Sequence, residues 1–315
     1  MKPIAIIFSD LHIHDHARFS TRLDTSLRVL DKVSDLCVRY KVPAFHLGDL
    51  FHVPEYISVN LLSIIINKFN ELAKKDWKLY CISGNHTIPS VSTIGNAPIS
   101  YESCLSNLYD FVKCIDYKKV AIGGVRFWGI PYVDQNRGLS EYLSKIELNQ
   151  KKKNVLLLHS SYPGARDTDG TVVESENINL NTLNRFDLTL MGHIHKPQRL
   201  SKKVYMIGAP YQQRRTDKDC SMGIWILGED LSMEFMPLSN TYPRYIDVES
   251  KDDVVDDGNY YTVVAKVKEV PTTELKLEEG MSKQSIAKKY LRHISVKDKE
   301  KKKVVLDIIK MVDND

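Results

Sequence analysis

The sequence has no hydrophobic run long enough to cross a membrane. A membrane-spanning helix needs roughly 20 apolar residues. The apolar run nearest the amino terminus, Ile4–Phe8, is also too short for the core of a signal peptide. We therefore expect a protein that does not associate with a membrane and that resides in the cytoplasm.

Cysteine is scarce, and its spacing matches neither a zinc site nor a disulfide framework. The five cysteines are Cys37, Cys81, Cys104, Cys114 and Cys220. Cys81 lies inside a strand-like apolar run, which predicts a buried thiol. Reduced, buried thiols are typical of a reducing compartment.

Neither sign of charge is in large excess. The formal net charge at pH 7 is +4, which is too small to predict a nucleic-acid partner and does not oppose one. Apolar residues make up 43% and charged residues 27% of the chain, as in ordinary soluble globular proteins. The length of 315 residues favours one large domain or two modest ones.

Strand-like and helix-like segments alternate up to about Leu238, which predicts an α/β core. Apolar residues at helical spacing mark Thr21–Tyr40 and Val59–Leu72 as helices. In the second helix the expected buried stripe is Leu62, Ile65, Ile66 and Phe69. Short apolar runs, several followed directly by turn residues, predict strands at Ile4–Phe8, Ala44–Leu47, Leu79–Ile82, Val125–Ile130, Val155–Leu158, Leu188–Met191, Val204–Ile207 and Met222–Leu227.

A change of composition near Tyr242-Pro243 predicts the end of the first domain. An acidic segment and a β-like run follow, and after Pro271 the chain becomes rich in lysine. Two helix-like stretches, Gln284–His293 and Lys299–Val312, lie in that last part. We expect a domain over residues 1–240, a small α+β cap over 241–280 and a pair of helices over 281–315.

Six of the ten histidines follow strand-like runs, together with two aspartates and one asparagine. The carboxyl ends of five strands would bring these side chains into one cleft. Carboxylate, imidazole and amide groups form a ligand set for two divalent metal ions. The nine residues are Asp10, His12, Asp49, His52, Asn85, His86, His159, His193 and His195.

The spacing within these motifs suits metal binding. Asp10 and His12 lie one residue apart at a strand end, so both can bind the same ion. His193 and His195 repeat that spacing, so one strand end could serve both metals. The carboxylate of Asp49 can bridge two cations and neutralise part of their mutual repulsion.

The same motifs predict a hydrolytic chemistry. The amide oxygen of Asn85 suits Mn²⁺ or Fe²⁺. Two such ions lower the pKa of a water molecule and hold the oxygens of a phosphate for in-line attack. His86, beside a ligand but not required as one, is placed to supply a proton to the leaving group. His52 would contact the phosphate or act as a second proton donor.

The order of the motifs carries this prediction, because a single Asp-x-His pair or Gly-Asn-His triplet also occurs by chance. The remaining histidines are interpreted differently. His46 lies within a strand and is assigned to the core, whereas His14 and His16 lie in a polar loop and His293 lies on the tail.

The series Asp-x-His, Gly-Asp-x-x-His, Gly-Asn-His, His and Gly-His-x-His resembles the calcineurin-like metallophosphoesterase superfamily over roughly residues 4–210. The resemblance implies a four-layer α/β fold, in which a β-sandwich is flanked by helices and carries a two-metal site along one edge. Within the superfamily the chain is similar to the SbcD-type nucleases and their bacteriophage recombination counterparts. The features that favour this subgroup are Gly-Asp-Leu-Phe-His at 48–52, Ile-Gly-Ala-Pro-Tyr at 207–211 and the appended cap.

The resemblance also implies roles by position. One metal ion would be held by Asp10, His12, Asp49 and His195, and the other by Asp49, Asn85, His159 and His193. Mn²⁺ is the expected ion, with Mg²⁺ or Fe²⁺ as alternatives. His86 would be the catalytic histidine and His52 would act at the phosphate. Thr87 departs from the family, which usually has an acidic residue after Gly-Asn-His.

The resemblance further implies DNA as a substrate, a homodimer and an SbcC-like coiled-coil ATPase as a partner, in a bacterial cell or a phage-infected host. The helices over 281–315 would dock on that ATPase or pack on the cap of their own chain, and both alternatives stay open. Arg214 and Arg215, beside Tyr211, suit a phosphate backbone with bases stacking nearby, or a plain solvated surface.

We therefore predict a two-metal, Mn²⁺-dependent DNA nuclease subunit of an SbcCD-like complex that acts in recombination and end processing. The alternative is a metallophosphoesterase that acts on phosphoproteins or small nucleotide diesters. Both need the same ligands, so the metal motifs do not separate them. A scaffold without activity is disfavoured because every expected ligand is present.

Overall fold

The computed structural model describes residues 1–15, 20–52, 56–89, 94–174, 178–238 and 241–264. One compact unit comprises Met1–Val248 and Val254–Thr262. Of the second unit, residues 249–253 and 263–264 are described. The predicted helices Gln284–His293 and Lys299–Val312 lie outside the described residues, as do positions 265–280 of the predicted cap, so the predicted boundaries stay a prediction.

The described residues form fourteen short strands and five α-helices, which alternate up to Leu108, and after Leu183 strands follow one another without a further α-helix. The helices are α1 (Ser20–Tyr40), α2 (Val59–Leu72), α3 (Tyr101–Leu108), α4 (Leu139–Lys145) and α5 (Leu180–Leu183). The strands are β1 (Pro3–Phe8), β2 (Ala44–Leu47), β3 (Leu79–Ile82), β4 (Val112–Cys114), β5 (Lys118–Ile122), β6 (Val125–Ile130), β7 (Lys153–His159), β8 (Leu188–Gly192), β9 (Gln198–Arg199), β10 (Val204–Met206), β11 (Gly223–Gly228), β12 (Met233–Pro237), β13 (Tyr245–Val248) and β14 (Tyr260–Val263).

Most of the strands form two six-stranded sheets. The first has the order β12-β11-β1-β2-β3-β4, in which β1 to β4 are parallel and β11 runs antiparallel to β1. The second has the order β5-β6-β7-β8-β10-β9, with β6, β7, β8 and β10 parallel. β13 and β14 form a separate two-stranded sheet.

Alternating side chains of the central strands pack on opposite faces, as strand geometry requires. In β1, Ile6 and Phe8 belong to a core shared with α1 and α2, whereas Ala5 and Ile7 face the space between the two sheets. In β7, Val155 and Leu157 fill that same space, and Leu156 and Leu158 pack with α4 and α5. The result is four layers, helix–sheet–sheet–helix, which confirms the predicted fold class.

The buried face of α2 differs from the predicted one. Leu61, Ile65, Phe69 and Leu72 are buried, whereas Leu62 and Ile66 are 42% and 40% exposed. Both stripes fit a period of 3.6 residues, so the apolar sequence Leu-Leu-Ser-Ile-Ile-Ile allows two registers. Packing against the sheet selects the register that begins at Leu61.

The sheet arrangement brings five strand ends to one edge. β2 lies against β7 and β8 across the sandwich, and β3 lies against β6 and β7. β7 and β8 are in register at their carboxyl ends, where His159 pairs with Gly192. The loops that follow β1, β2, β3, β7 and β8 therefore meet at this edge. Within the described residues no helix is both long and apolar enough to span a bilayer.

Candidate two-metal centre

The loops after β1, β2 and β8 leave their strands with a left-handed backbone. Asp10 has φ of +53°, His12 of +49°, Asp49 of +57° and His193 of +93°. Such angles are uncommon outside glycine and cost roughly 1–3 kcal/mol each, so the surrounding structure must hold them. Two hydrogen bonds join the first two loops, from Asp10 N–H to the Gly48 carbonyl (3.1 Å) and from His12 N–H to the Asp49 carbonyl (3.0 Å).

The first group of candidate ligands consists of Asp10, His12 and His195. Their side-chain donor atoms lie within 4.8 Å of one another, and the Nε2 atoms of His12 and His195 are 3.2 Å apart. Both carboxylate oxygens of Asp10 accept the backbone N–H of His193 at 3.1 Å. That bond orients the carboxylate and ties the β1 loop to the β8 loop.

The second group consists of Asp49, His159 and His193, whose donor atoms also lie within 4.8 Å of one another. The amide oxygen of Asn85 is 3.1 Å from Nε2 of His159 and 2.9 Å from Nδ1 of His193. Asp49 lies between the two groups, because its Oδ2 is 3.3 Å from Nε2 of His159 and 3.8 Å from Nε2 of His12.

Burial and neighbouring charges shift the pKa values of these side chains. Burial lowers the pKa of His12 well below its ordinary value and lowers that of His193 to about 4, which keeps both rings neutral and able to bind a cation. Burial also acts to lower the pKa of His159, but the Asp49 carboxylate outweighs it and the pKa rises to about 9. Although burial acts to raise the pKa of Asp49, the charge and hydrogen bond of His159 hold it below its usual range. A metal ion would therefore displace a proton from His159.

The tautomers fit metal binding. The Nδ1–H of His159 donates to the carbonyl of Leu47 at 2.6 Å, so Nε2, which faces Asp49 and Asn85, is the nitrogen that can give up its proton to a metal ion. His12 and His195 direct two imidazole nitrogens at one point, an arrangement that needs a proton or a cation between them. Carboxylate, imidazole and amide donors around two adjacent points fit a pair of divalent ions.

Two glycines are required by the close approach of the loops. A Cβ at Gly84 would lie 2.1 Å from Oδ1 of Asp49 and 2.3 Å from its backbone nitrogen. Gly48 has φ of +93°, and a Cβ there would lie 2.2 Å from Nδ1 of His159. No other residue type fits at either position without moving a candidate ligand.

His86 is fixed by two hydrogen bonds. Its backbone N–H donates to Oδ1 of Asp49 at 2.8 Å, and its ring Nδ1–H donates to the carbonyl of His52 at 3.1 Å. The ring is half-buried and lines the cleft, so Nε2 is available to a substrate. The rings of His52 and His86 stack, with centroids 5.1 Å apart and planes at 11°. Burial, followed by the neighbouring His86, lowers the pKa of His52 to about 4.

Thr87 closes the turn that carries Asn85 and His86. Its buried hydroxyl donates to the carbonyl of Gly84 and accepts the N–H of Gly84, both at 3.1 Å. The preceding residue is also fixed, because Ser83 donates its N–H and its hydroxyl to the buried carboxylate of Asp116 at 2.9 and 2.6 Å. Thr87 thus orients the turn by hydrogen bonding, although it adds no charge.

A buried carboxylate that the sequence analysis missed lies behind this turn. Glu102, in the first turn of α3, is fully buried, and its Oε1 accepts the N–H of Leu50 at 3.3 Å. Burial raises the pKa of Glu102 to about 8, against the opposing effect of the Thr87 hydroxyl. A glutamate near a helix N-terminus is common, so the sequence carries no signal for this position.

Replacing Glu102 with glutamine should change how stability depends on pH. The folded protein retains the proton of Glu102 up to pH about 8, whereas an unfolded chain releases it above about 4.3. The free energy that the protonated Glu102 contributes to stability is therefore fully present below the pKa that the group has in the unfolded chain. It is lost as the pH rises through the pKa of the folded protein, and the total loss is on the order of 5 kcal/mol. Urea unfolding with EDTA from pH 5 to pH 8 should show that the free energy of unfolding of Glu102→Gln, relative to that of wild type, rises with pH.

The matched control for that measurement is Glu71→Gln, a substitution of an exposed glutamate at the end of α2. Its profile should run parallel to that of wild type. Parallel profiles for Glu102→Gln and wild type would contradict the assignment of a protonated Glu102 at neutral pH.

The candidate ligands line a cleft of about 470 Å³. The lining residues are His12, Arg22, Asp49, His52, His86, Asp167, His193, Ile194, His195, Tyr211, Gln213 and Arg214. The nine residues predicted from sequence are therefore gathered at one edge of the sandwich, with Asp10, Asn85 and His159 behind those that line the cleft. The side chain of His46 lies in the core as predicted, because it is fully buried, but neither of its ring nitrogens has a hydrogen-bond partner among the described residues.

The three predicted DNA contacts are placed less favourably. Tyr211 is 3% exposed, and its hydroxyl donates to the carbonyl of Leu11, so its ring faces are enclosed by protein. Arg214 lines the cleft and donates to both oxygens of Asp167 at 2.6 Å. Arg215 pairs with Asp247 at 2.9 Å. Binding of DNA by these residues stays a prediction.

Two curated proteins are similar to part of this chain, and both are named DNA double-strand break repair protein Mre11. The protein from Methanococcus maripaludis is 32% identical over 143 residues, and that from Methanocaldococcus jannaschii is 30% identical over 158 residues. The aligned regions cover 44% and 48% of this chain and only 37% and 39% of the two relatives. The chain therefore spans less than half of the length of either relative.

Two solved structures resemble the fold in part. The protein TT1561 of Thermus thermophilus has a TM-score of 0.44 and 11% identity, over 76% of this chain and 100% of that one. A dimetal phosphatase from Danio rerio has a TM-score of 0.46 and 13% identity, over 75% of this chain and 96% of that one.

The calcineurin-like phosphoesterase family model matches residues 5–197. The match begins in β1 and ends just after His195, so it spans all five loops of the candidate metal centre. It also covers more than half of the 315 residues. The chain belongs to the calcineurin-like phosphoesterase family.

Proposed function

We propose that this phosphoesterase is a two-metal, Mn²⁺-dependent DNA nuclease subunit of an SbcCD-like recombination and end-processing complex. The observation that carries the proposal is the gathering of two groups of metal donors around Asp49, with His86 beside them, in an open cleft. The partial similarity to two proteins named for double-strand break repair supports DNA as the substrate.

In this proposal Asp10, His12, Asp49 and His195 hold one ion, and Asp49, Asn85, His159 and His193 hold the other. When bound, two divalent ions supply a nucleophilic water at neutral pH and neutralise charge on the phosphate. The backbone N–H of His193 keeps the Asp10 carboxylate oriented. The carbonyl of Leu47 keeps the proton of His159 on Nδ1 and thereby leaves Nε2 for the metal. The mixed oxygen and nitrogen donors favour Mn²⁺, with Mg²⁺ or Fe²⁺ as alternatives.

His86 supplies the proton that the leaving oxygen of a phosphodiester needs. The hydrogen bond from its Nδ1–H to the His52 carbonyl fixes the ring in the wall of the cleft, so a proton for the leaving oxygen would come from Nε2. His52 lines the same cleft and contacts the phosphate. Because burial and His86 lower the pKa of His52 to about 4, it acts there as a neutral hydrogen-bond donor.

The remaining parts of the proposal concern partners. DNA would lie in the cleft and contact Arg214 once its ion pair with Asp167 rearranges, Arg215 once its ion pair with Asp247 rearranges, and Tyr211. The proposed complex contains a homodimer of this chain and an SbcC-like coiled-coil ATPase. Residues 281–315 would dock on that ATPase or pack on the cap. A DNA-processing role places the enzyme in the cytoplasm of a bacterial cell or a phage-infected host.

The test compares four substrates under one set of conditions. Purified protein is incubated with Mn²⁺ and one substrate in each reaction. The substrates are end-labelled linear DNA, bis-p-nitrophenyl phosphate, p-nitrophenyl phosphate and a phosphopeptide. We expect cleavage of DNA and of the activated diester, loss of both activities with EDTA, and recovery on addition of Mn²⁺. Hydrolysis of the monoester and the phosphopeptide, or of the activated diester alone, without cleavage of DNA would instead support the alternative, a metallophosphoesterase that acts on phosphoproteins or small nucleotide diesters.

A further inference from the structure

Arg22 belongs to the wall of the cleft, although no motif points to it. It lies near the start of α1 and lines the same cleft as His12, His52 and His86. Its side chain is half-buried, and its guanidinium donates through Nη2 to the hydroxyl of Tyr245. A cation therefore lies in the cleft together with the candidate metal ligands.

Two aromatic rings hold the guanidinium. Its Cζ atom is 5.8 Å from the ring centroid of Tyr245 and 6.0 Å from that of Tyr260. The two rings contact each other, with centroids 4.9 Å apart. They come from β13 and β14, so the two-stranded sheet supports a residue of the cleft. Stacking of a guanidinium near aromatic faces restricts its orientation and leaves its charge in place.

A chain of hydrogen bonds connects this arginine with the metal centre. The hydroxyl of Tyr245 donates to the carbonyl of Gln213 at 3.3 Å. The side-chain Nε2 of Gln213 donates to the carbonyl of Asp10 at 2.5 Å. Arg22 is thereby positioned relative to the backbone of a candidate ligand.

Arg214, the other arginine that lines the cleft, makes different contacts from Arg22. Arg214 donates to both carboxylate oxygens of Asp167 and lies 3.3 Å from Asp217, so two carboxylates balance its charge. The aromatic partners of Arg22 are neutral phenols. They orient the guanidinium and carry no negative charge of their own.

We propose that Arg22, held by Tyr245 and Tyr260, binds a phosphate of the DNA strand other than the one that reacts. The proposal rests on the proposed nuclease function. A cleft of about 470 Å³ is far larger than one phosphate group, and typical ligand pockets of this size hold a nucleotide-sized molecule. The reacting phosphate lies at the metal donors, and a planar guanidinium is suited to a second phosphate on the wall. Arg22 is thus a specificity-determining residue that favours a polynucleotide over a small diester.

The test uses Arg22→Met and Arg22→Lys in the full-length protein with Mn²⁺. Arg28→Met is the matched control, because Arg28 lies on the same helix, with its Cζ 5.3 Å from the ring centroid of Tyr242, and is not among the residues that line the cleft. We expect Arg22→Met to raise KM for linear DNA about tenfold or more, as for the loss of a charged hydrogen bond. Its kcat/KM for bis-p-nitrophenyl phosphate should stay within about twofold of wild type.

Salt dependence gives a second readout. The slope of log KM for DNA against log salt should fall by about one unit in Arg22→Met. Arg22→Lys should retain that slope and recover only part of the KM, because lysine keeps the charge but not the planar fork. A KM for DNA equal to that of Arg28→Met, or an equal loss on DNA and on the small diester, would overturn the proposal. Failure of wild type to cleave DNA would instead overturn the proposed nuclease function.

Discussion

Asp49→Asn should abolish hydrolysis of phosphodiesters and lower the content of bound metal. Asp49 lies between the two groups of donors, with Oδ2 at 3.3 Å from His159 and 3.8 Å from His12. An asparagine keeps the shape of the side chain but removes the charge that would offset the repulsion of two cations. We expect kcat/KM for bis-p-nitrophenyl phosphate to fall by about 10³-fold or more. Steady-state kinetics and measurement of Mn²⁺ per chain after dialysis test this expectation.

The carboxylate of Asp49 also controls a neighbouring histidine. It raises the pKa of His159 to about 9 against the effect of burial, so in Asp49→Asn the pKa of that ring should drop and the ring should become neutral. The variant therefore loses the bridging charge even though His159 remains able to bind a metal. One ion held weakly by Asp10, His12 and His195 is the most that it should retain, because that group still contains a carboxylate.

The matched control is Asp167→Asn, which removes another carboxylate of the same cleft. Asp167 pairs with Arg214 and is not one of the donors in the two metal groups. It should keep two Mn²⁺ ions per chain and most of its activity on the small diester. If Asp49→Asn also retained two ions and activity within about tenfold of wild type, Asp49 would not be the bridging ligand.

The strands that the sequence predicts are recognisable because each is a short apolar run with a strong stop signal, whereas β4, β5, β9, β12 and β13 lack such a run and were not predicted. β2 and β3 have the predicted bounds, Ala44–Leu47 and Leu79–Ile82, and in each case a glycine-containing turn follows. The nine functional candidates were predictable for the same reason, since each follows such a run directly. The parallel order within each sheet, together with the packing of β2 and β3 against β6, β7 and β8, then brings them to one edge.

Long-range contacts were not predictable in this way. β11 lies between β12 and β1, where Ala5 pairs with Leu227. Nothing in the local sequence indicates that a strand near residue 225 borders the first strand of the chain. Glu102 and Arg22 were missed because their roles depend on such contacts. Glu102 reaches Leu50, and Arg22 reaches Tyr245, only in the folded chain. A local pattern carries no trace of either neighbour.

His86→Ala should separate proton donation from metal binding. The ring of His86 is not part of the two donor groups around Asp10 and Asp49, so the variant should keep two Mn²⁺ ions per chain. Its backbone N–H, which donates to Asp49, is also kept. Cleavage of DNA, whose leaving group is a poor one that must be protonated, should fall by about 10²–10⁴-fold in kcat. Hydrolysis of bis-p-nitrophenyl phosphate should fall by less than about tenfold, because p-nitrophenolate leaves without a proton.

His52→Ala is the matched control for this comparison. His52 stacks on His86 and fixes it through a backbone carbonyl, which alanine retains. A phosphate contact acts on both substrates, so His52→Ala should lower the two rates by similar factors. Equal losses on DNA and on the activated diester in His86→Ala would assign His86 to the phosphate as well. Loss of Mn²⁺ in His86→Ala would make it a metal ligand, together with His12 and His52, with which its donor atoms form a third compact group.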